Sequence, residues 1–162
     1  FGLTEASSAA VFLGVGLVLV AIQGGAYGRL VERFGTQRLF AVGLALLIAG
    51  LAVTAVAKVW PVLVVALLLL SIGQGCASPS ITSLVTQHAP PERRGEALGF
   101  QQSANGLGRV LGPPAAGAMF DHVGIWSPYV AGAVLCVAAM VLVVTWGLDR
   151  RMPAVATDLL RE

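Results

Sequence analysis

Charged and histidine residues divide this chain into five long gaps, from Glu5 to Arg29, Arg38 to Lys58, Lys58 to His88, Glu96 to Asp121 and His122 to Asp149. An α-helix needs about 20 consecutive apolar residues to cross the hydrocarbon core of a bilayer. Each gap meets that length, so the spacing predicts five transmembrane helices. Arg109 is the only formal charge inside any of them. Within lipid every backbone amide and carbonyl must be satisfied internally, which leaves helices as the structure these gaps can form.

Composition agrees. Of the 162 residues, 57% are hydrophobic and 11% charged, roughly half the charge of a soluble domain. A soluble fold of this size lacks the interior to hide that much apolar surface, so the lipid bilayer is an expected partner. The net charge of +2, with no long basic run, argues against nucleic acid. The placement of the basic residues says more. If successive spans alternate, Arg29, Arg33, Arg38, Arg93, Arg94, Arg150, Arg151 and Arg161 fall on one side and Lys58 alone on the other. Eight against one predicts, by the positive-inside rule, that the two arginine-bearing loops and the C-terminus are cytoplasmic. The Ala-, Val-, Gly- and Arg-rich, Lys-poor composition hints at a bacterial source and hence an inner (plasma) membrane.

The helices are expected at about 9–27, 39–57, 62–86, 97–120 and 127–148, giving one all-α integral membrane bundle over residues 1–148. Residues 149–162 read as a short cytoplasmic tail. Short connections should make sequential helices antiparallel neighbours. Trp60 with Pro61, and Trp126 with Pro128 and Tyr129, suit the two outer turns at the membrane interface. Pro79 removes a backbone donor and is expected to kink the third helix. Gly24 and Gly28, Gly95 and Gly99, and Gly108 and Gly112 lie four apart, a spacing that lets helices approach closely. Cys76 and Cys136 sit in separate spans without metal or disulfide spacing. No metal or cofactor is expected. His88 and His122 fall on opposite membrane faces, so they cannot share a catalytic site and an enzyme is not expected.

The segment from Gly28 to Arg38 reads Gly-Arg-Leu-Val-Glu-Arg-Phe-Gly-Thr-Gln-Arg. Gly28 permits close approach at a helix end, Gly35 permits positive φ in a tight turn, and Glu32 can pair with Arg33 or Arg38 or face a helix N-terminus. With Leu30, these residues resemble the G-x-L-A-D-R-x-G-x-R/K loop of the major facilitator superfamily of secondary transporters. In the fourth helix Gly99, Gly108, Gly112, Pro113 and Gly117 resemble the G(x8)G(x3)GP(x2)GG signature of that superfamily's proton-coupled antiporters, with Ala116 replacing the first Gly of the final pair. Ser71-Ile-Gly-Gln-Gly has Ser where the first half of the superfamily carries Arg in R-x-x-Q-G, Glu32 replaces Asp, and Thr36 replaces a basic residue. These departures resemble the degenerate second half. The resemblance therefore implies the eighth to twelfth of twelve helices, with residues 1–8 as outer loop and seven helices missing upstream, the chain's expected partner.

What the resemblance implies is transport of a small-molecule substrate by alternating access, as a drug or metabolite efflux antiporter driven by a proton gradient. The loop from Gly28 to Arg38 would be a conformational latch. A non-transporting scaffold or sensor built on the same bundle is the alternative, and upstream sequence would separate the two. No Asp or Glu lies inside a span, so a titrating carboxylate would come from the missing half or from Glu32 or Asp121 at the membrane edge. Burying Arg109 costs at least about 2.5 to 3.5 kcal/mol. It could bind an anionic substrate group, pair with a carboxylate from the missing half, or bond carbonyls freed around Gly108 and Pro113. Gln101, Asn105 and Arg109 are spaced by four on one helical stripe. Gln23, Gln74, Gln102 and Ser103 are further polar groups that could meet a solute or bond between helices.

Overall fold

The computed structural model describes residues 5–149, and all regular structure among them is helical. α1 (Glu5–Ala21) passes through a π-helical turn (Ile22–Ala26) into α2 (Tyr27–Phe34), forming one rod. α3 (Thr36–Val56), α4 (Trp60–His88), a 3-10 turn (Pro91–Arg93), α5 (Arg94–His122) and α6 (Ser127–Asp149) follow. The helices outrun the apolar gaps. Glu5 is already helical, so the outer loop expected over residues 1–8 is helical from Glu5 on, and the first rod ends at Phe34 rather than near residue 27. Helical hydrogen bonding continues through polar residues into the interfacial layers, and apolar periodicity does not register those turns. The tail expected over 149–162 lies outside the described residues, apart from Asp149.

Leu13–Phe34, Thr36–Val56, Trp60–His88 and Ser127–Thr145 are long and apolar enough to cross a membrane. α5, the expected fourth crossing, does not meet that composition, because Gln101, Gln102, Ser103, Asn105 and Arg109 dilute it. Its 29 residues nonetheless extend for about 43 Å, more than a hydrocarbon core of about 30 Å. It joins α4 to α6 through short turns, lying beside the end of α4 through Gln101 and the start of α6 through Phe120 and Tyr129, whose ring centroids are 6.2 Å apart. A polar helix can cross where it faces protein or water rather than lipid.

One residue separates α2 from α3. Gly35 takes φ 81° and ψ 152°, its N–H bonds Val31 O at 2.8 Å, and its own carbonyl receives Leu39 N–H at 3.1 Å. That backbone region is open essentially to glycine alone. Gly35→Ala is therefore expected to cost about 1–3 kcal/mol, read as a lower Tm. Gly35→Asn should do no better, because asparagine tolerates the left-handed helical region and not this one.

Lateral packing departs from sequence order. α3 is joined tightly to α4 and α6, while the first rod leans on α4 rather than on its sequence neighbour α3. Short turns fix antiparallel direction, but matching surfaces choose the neighbours. Leucine gains nothing by leaving lipid for another leucine, so association rests on close van der Waals packing through small residues. Gly43 and Gly73 supply it: a Cβ on Gly43 would stand 2.8 Å from Ala77 N and 3.0 Å from Gly73 O, and one on Gly73 would stand 2.9 Å from Gly43 O. Phe40, Leu44 and Ala77 form the buried centre beside that contact, with Leu47, Leu84, Ala139, Met140 and Val143 around them. The glycine pairs expected to make such contacts make none among the described residues: Gly24, Gly28, Gly95, Gly99, Gly108 and Gly112 have no such neighbour within 4 Å. Fourfold spacing marks a smooth face, but a partner surface must also be present.

α4 runs unbroken as helix through Pro79. The next residue, Ser80, is fully buried, its hydroxyl donating to Cys76 O at 2.7 Å and accepting from Tyr27 Oη at 3.2 Å. This bond and the seating of Ile22 against Gly75 dock the π-helical turn beside the proline turn. Tyr27 N–H reaches back to Ile22 O across that turn, where Gly24 and Gly25 leave the wider coil uncrowded.

Candidate functional site

The arginine-bearing turns share one end of the molecule. Gln87, in the last turn of α4, donates to Thr36 Oγ1 at 3.5 Å and to Ser83 Oγ at 2.9 Å, tying the α4 terminus to the start of α3. Gln37 donates to Val143 O at 3.4 Å, bringing the late part of α6 to the same end. Arg29, Arg33, Arg38, Arg93 and Arg94 are all exposed there. His88 caps Leu84 O in the same region, whereas His122 caps Ala118 O at the other end of α5.

Within the loop, Gly28 and Glu32 are exposed and Leu30 is half-buried. The pairing expected of Glu32 with Arg33 or Arg38 is not formed among the described residues. Arg33 instead lies over the Phe34 ring, 5.8 Å from its centroid.

α5 forms the second polar surface. None of its residues is buried. Gln101 is half-buried; its Nε2 donates to Thr82 Oγ1 at 3.0 Å, while its Oε1 is shielded from solvent with no hydrogen-bond partner. Asn105 Nδ2 meets Gln102 Oε1 at 3.5 Å, and Ser103 Oγ donates to Gly99 O at 3.0 Å. Arg109 is exposed and forms no hydrogen bond or ion pair with the described residues, so the carbonyls near Gly108 and Pro113 do not hold its side chain. Pro113 and Pro114 lack the amide hydrogens that would have reached the carbonyls of Arg109 and Val110, leaving a weakened turn beside the charge. Gly99, Gly108, Gly112 and Gly117 line the same helix with no neighbour within 4 Å of a would-be Cβ.

Gln23, inside the π-helical turn, and Gln74, on α4, are both exposed. Neither hydrogen-bonds to the α5 stripe; of the polar groups singled out, Gln101, Gln102, Ser103, Asn105 and Arg109 all lie on α5, with Asn105 bonded to Gln102. The polar groups missed in the sequence are Tyr27, Ser80, Thr82 and Gln87. A serine directly after a helical proline and the Gly24-Gly25 doublet were the available signals for the first two.

The model of the Major Facilitator Superfamily matches residues 1–162. The chain is 30% identical over 107 residues to multidrug resistance protein 3 of Bacillus subtilis, covering 65% of this chain and 21% of that protein. It is 29% identical over 99 residues to the uncharacterized MFS-type transporter YfiU of the same species, covering 61% and 19%. It is 30% identical over 144 residues to probable anion transporter 3, chloroplastic, of Arabidopsis thaliana, covering 83% and 27%. Among solved structures, a mutant of the peptide transporter POT in complex with sulfate superposes with a TM-score of 0.76 at 26% identity, covering 89% of this chain and 30% of that one. The chain thus spans less than a third of the length of each of these relatives.

Proposed function

The chain belongs to the Major Facilitator Superfamily, and on that premise we propose that the whole protein is a secondary active transporter that moves a small molecule by alternating access, as a proton-coupled drug or metabolite efflux antiporter. The five crossings correspond in this reading to the eighth to twelfth of twelve helices. The observation that carries it is the asymmetry of the bundle. α3 packs tightly between α4 and α6, while α5 meets α4 and α6 only sparsely and offers a glycine-rich, proline-weakened face with no neighbour against its glycines among the described residues. A helix so left is suited to close and part against another group of helices, which is the motion that alternating access requires. The arginine-rich end is cytoplasmic in this reading, by the positive-inside rule.

Uptake and efflux of a panel of labelled drugs and metabolites, in cells expressing the full-length protein, test the proposal. Efflux that stops when an uncoupler collapses the proton gradient is the expected result. No movement of any solute by correctly inserted protein would count against it.

Glu32 is assigned the latch: exposed at the α2–α3 turn and unpaired within the described residues, it is free to meet a positive group or a helix N-terminus of the other half in one state only. Glu32→Ala is expected to lower the transport rate by about five-fold or more, the low end of an ordinary coupling between states. Membrane insertion, measured by surface labelling, should be unchanged. A variant that transports at the normal rate would remove Glu32 from the mechanism.

A further inference from the structure

Arg109 stands alone near the middle of α5. It lies 15 residues after Arg94 and 13 before His122, so about 20 Å of helix separates it from either end of α5. The nearest carboxylates along that helix, Glu96 and Asp121, are about 18–20 Å away, and neither α4 nor α6 carries an acidic residue before its ends. The guanidinium therefore has no counter-charge among the described residues, although it is exposed and five N–H donors are free. Asn105 and Gln101 continue the line one and two turns away, Asn105 exposed and Gln101 half-buried with its Nε2 held by Thr82 Oγ1.

We propose that Arg109, Asn105 and Gln101 form the binding line for an organic anion or zwitterion, with Arg109 holding its carboxylate or comparable oxyanion; this rests on the transport reading above. The length of the line favours a solute over a protein carboxylate. Two teeth of a guanidinium fork satisfy one carboxylate within one turn. Three polar side chains spread over eight residues cover about 12 Å, the size of a small organic molecule. The sign of the charge also selects: with a cation and no carboxylate at this depth, this part of the protein attracts anions and repels lipophilic cations.

The test uses the full-length protein in proteoliposomes with two dyes of similar size, carboxyfluorescein and ethidium. Wild-type protein is expected to move carboxyfluorescein, Arg109→Gln to slow it by about ten-fold or more, and Arg109→Lys to restore part of the rate. A second measurement needs no variant: benzoate should inhibit carboxyfluorescein movement and its neutral isostere benzamide should not. Carboxyfluorescein movement unaffected by Arg109→Gln, or equal inhibition by benzoate and benzamide, overturns the proposal. Ethidium moved while carboxyfluorescein is not leaves transport standing and overturns the anion site alone. Movement of neither dye by inserted wild-type protein overturns both readings.

Discussion

Gly43→Leu is expected to separate α3 from α4 and to abolish the folded bundle, seen as loss of a cooperative melting transition and of a monodisperse peak in detergent. Steric overlap outweighs helix propensity at this position. Replacing a mid-helix glycine gains about 1 kcal/mol of helix propensity. Here the first carbon of any side chain would stand 2.8 Å from Ala77 N and 3.0 Å from Gly73 O, which are backbone atoms that no rotamer change can move. Overpacking costs about 1–3 kcal/mol where side chains can yield, and more where they cannot. Even Gly43→Ala should lower the Tm, and leucine should prevent the crossing altogether. Gly14→Ala is the control. It lies in α1 with nothing within 4 Å, so only the propensity gain remains and the Tm should hold or rise. Equal behaviour of the two alanine variants would show that the α3–α4 contact is not what holds the bundle.

Gly112→Leu should separate stability from transport. Nothing among the described residues lies within 4 Å of a Cβ at this position, so leucine meets no obstacle there and adds helix propensity. In any state where α5 closes against another group of helices, the same side chain is overpacked by about 1–3 kcal/mol. A penalty confined to one state displaces the equilibrium by about 5- to 150-fold. The expected result is normal insertion and an unchanged or raised Tm, with transport reduced by about ten-fold or more. Normal transport would mean that this face of α5 meets only lipid, and the alternating-access role proposed for it would fall.

These two glycines cannot be told apart by spacing. Gly112 belongs to a pair four apart and to a recognisable glycine-rich pattern, whereas Gly43 has no glycine four residues away; its relatives are Gly50, seven residues on, and the Gly73–Ala77 pair on the opposing helix. Small-residue spacing describes one surface, while a contact needs two. Gly35 was legible for the opposite reason: its φ of 81° is required by a one-residue connection within the local chain, independent of any partner. The stripe of Gln101, Asn105 and Arg109 was equally legible, since helical periodicity alone aligns it. That Arg109 leaves the freed carbonyls unbonded was not, because a side chain so placed had several partners in reach.

The sequence by itself determined that the chain is a set of apolar helices with turns at known places, and that the arginines of its turns gather at one end. Lipid imposes those features on any chain, one segment at a time, through length and charge. Only the tertiary structure decided that α3 packs on α6, that the first rod leans on α4 through Ile22, Gly75 and the Tyr27–Ser80 bond, and that α5 keeps an open face. Inside a bilayer the solvent is as apolar as the side chains, so hydrophobicity cannot choose among neighbours. The choice falls to surface shape and to a few hydrogen bonds, which exist only once two helices have met.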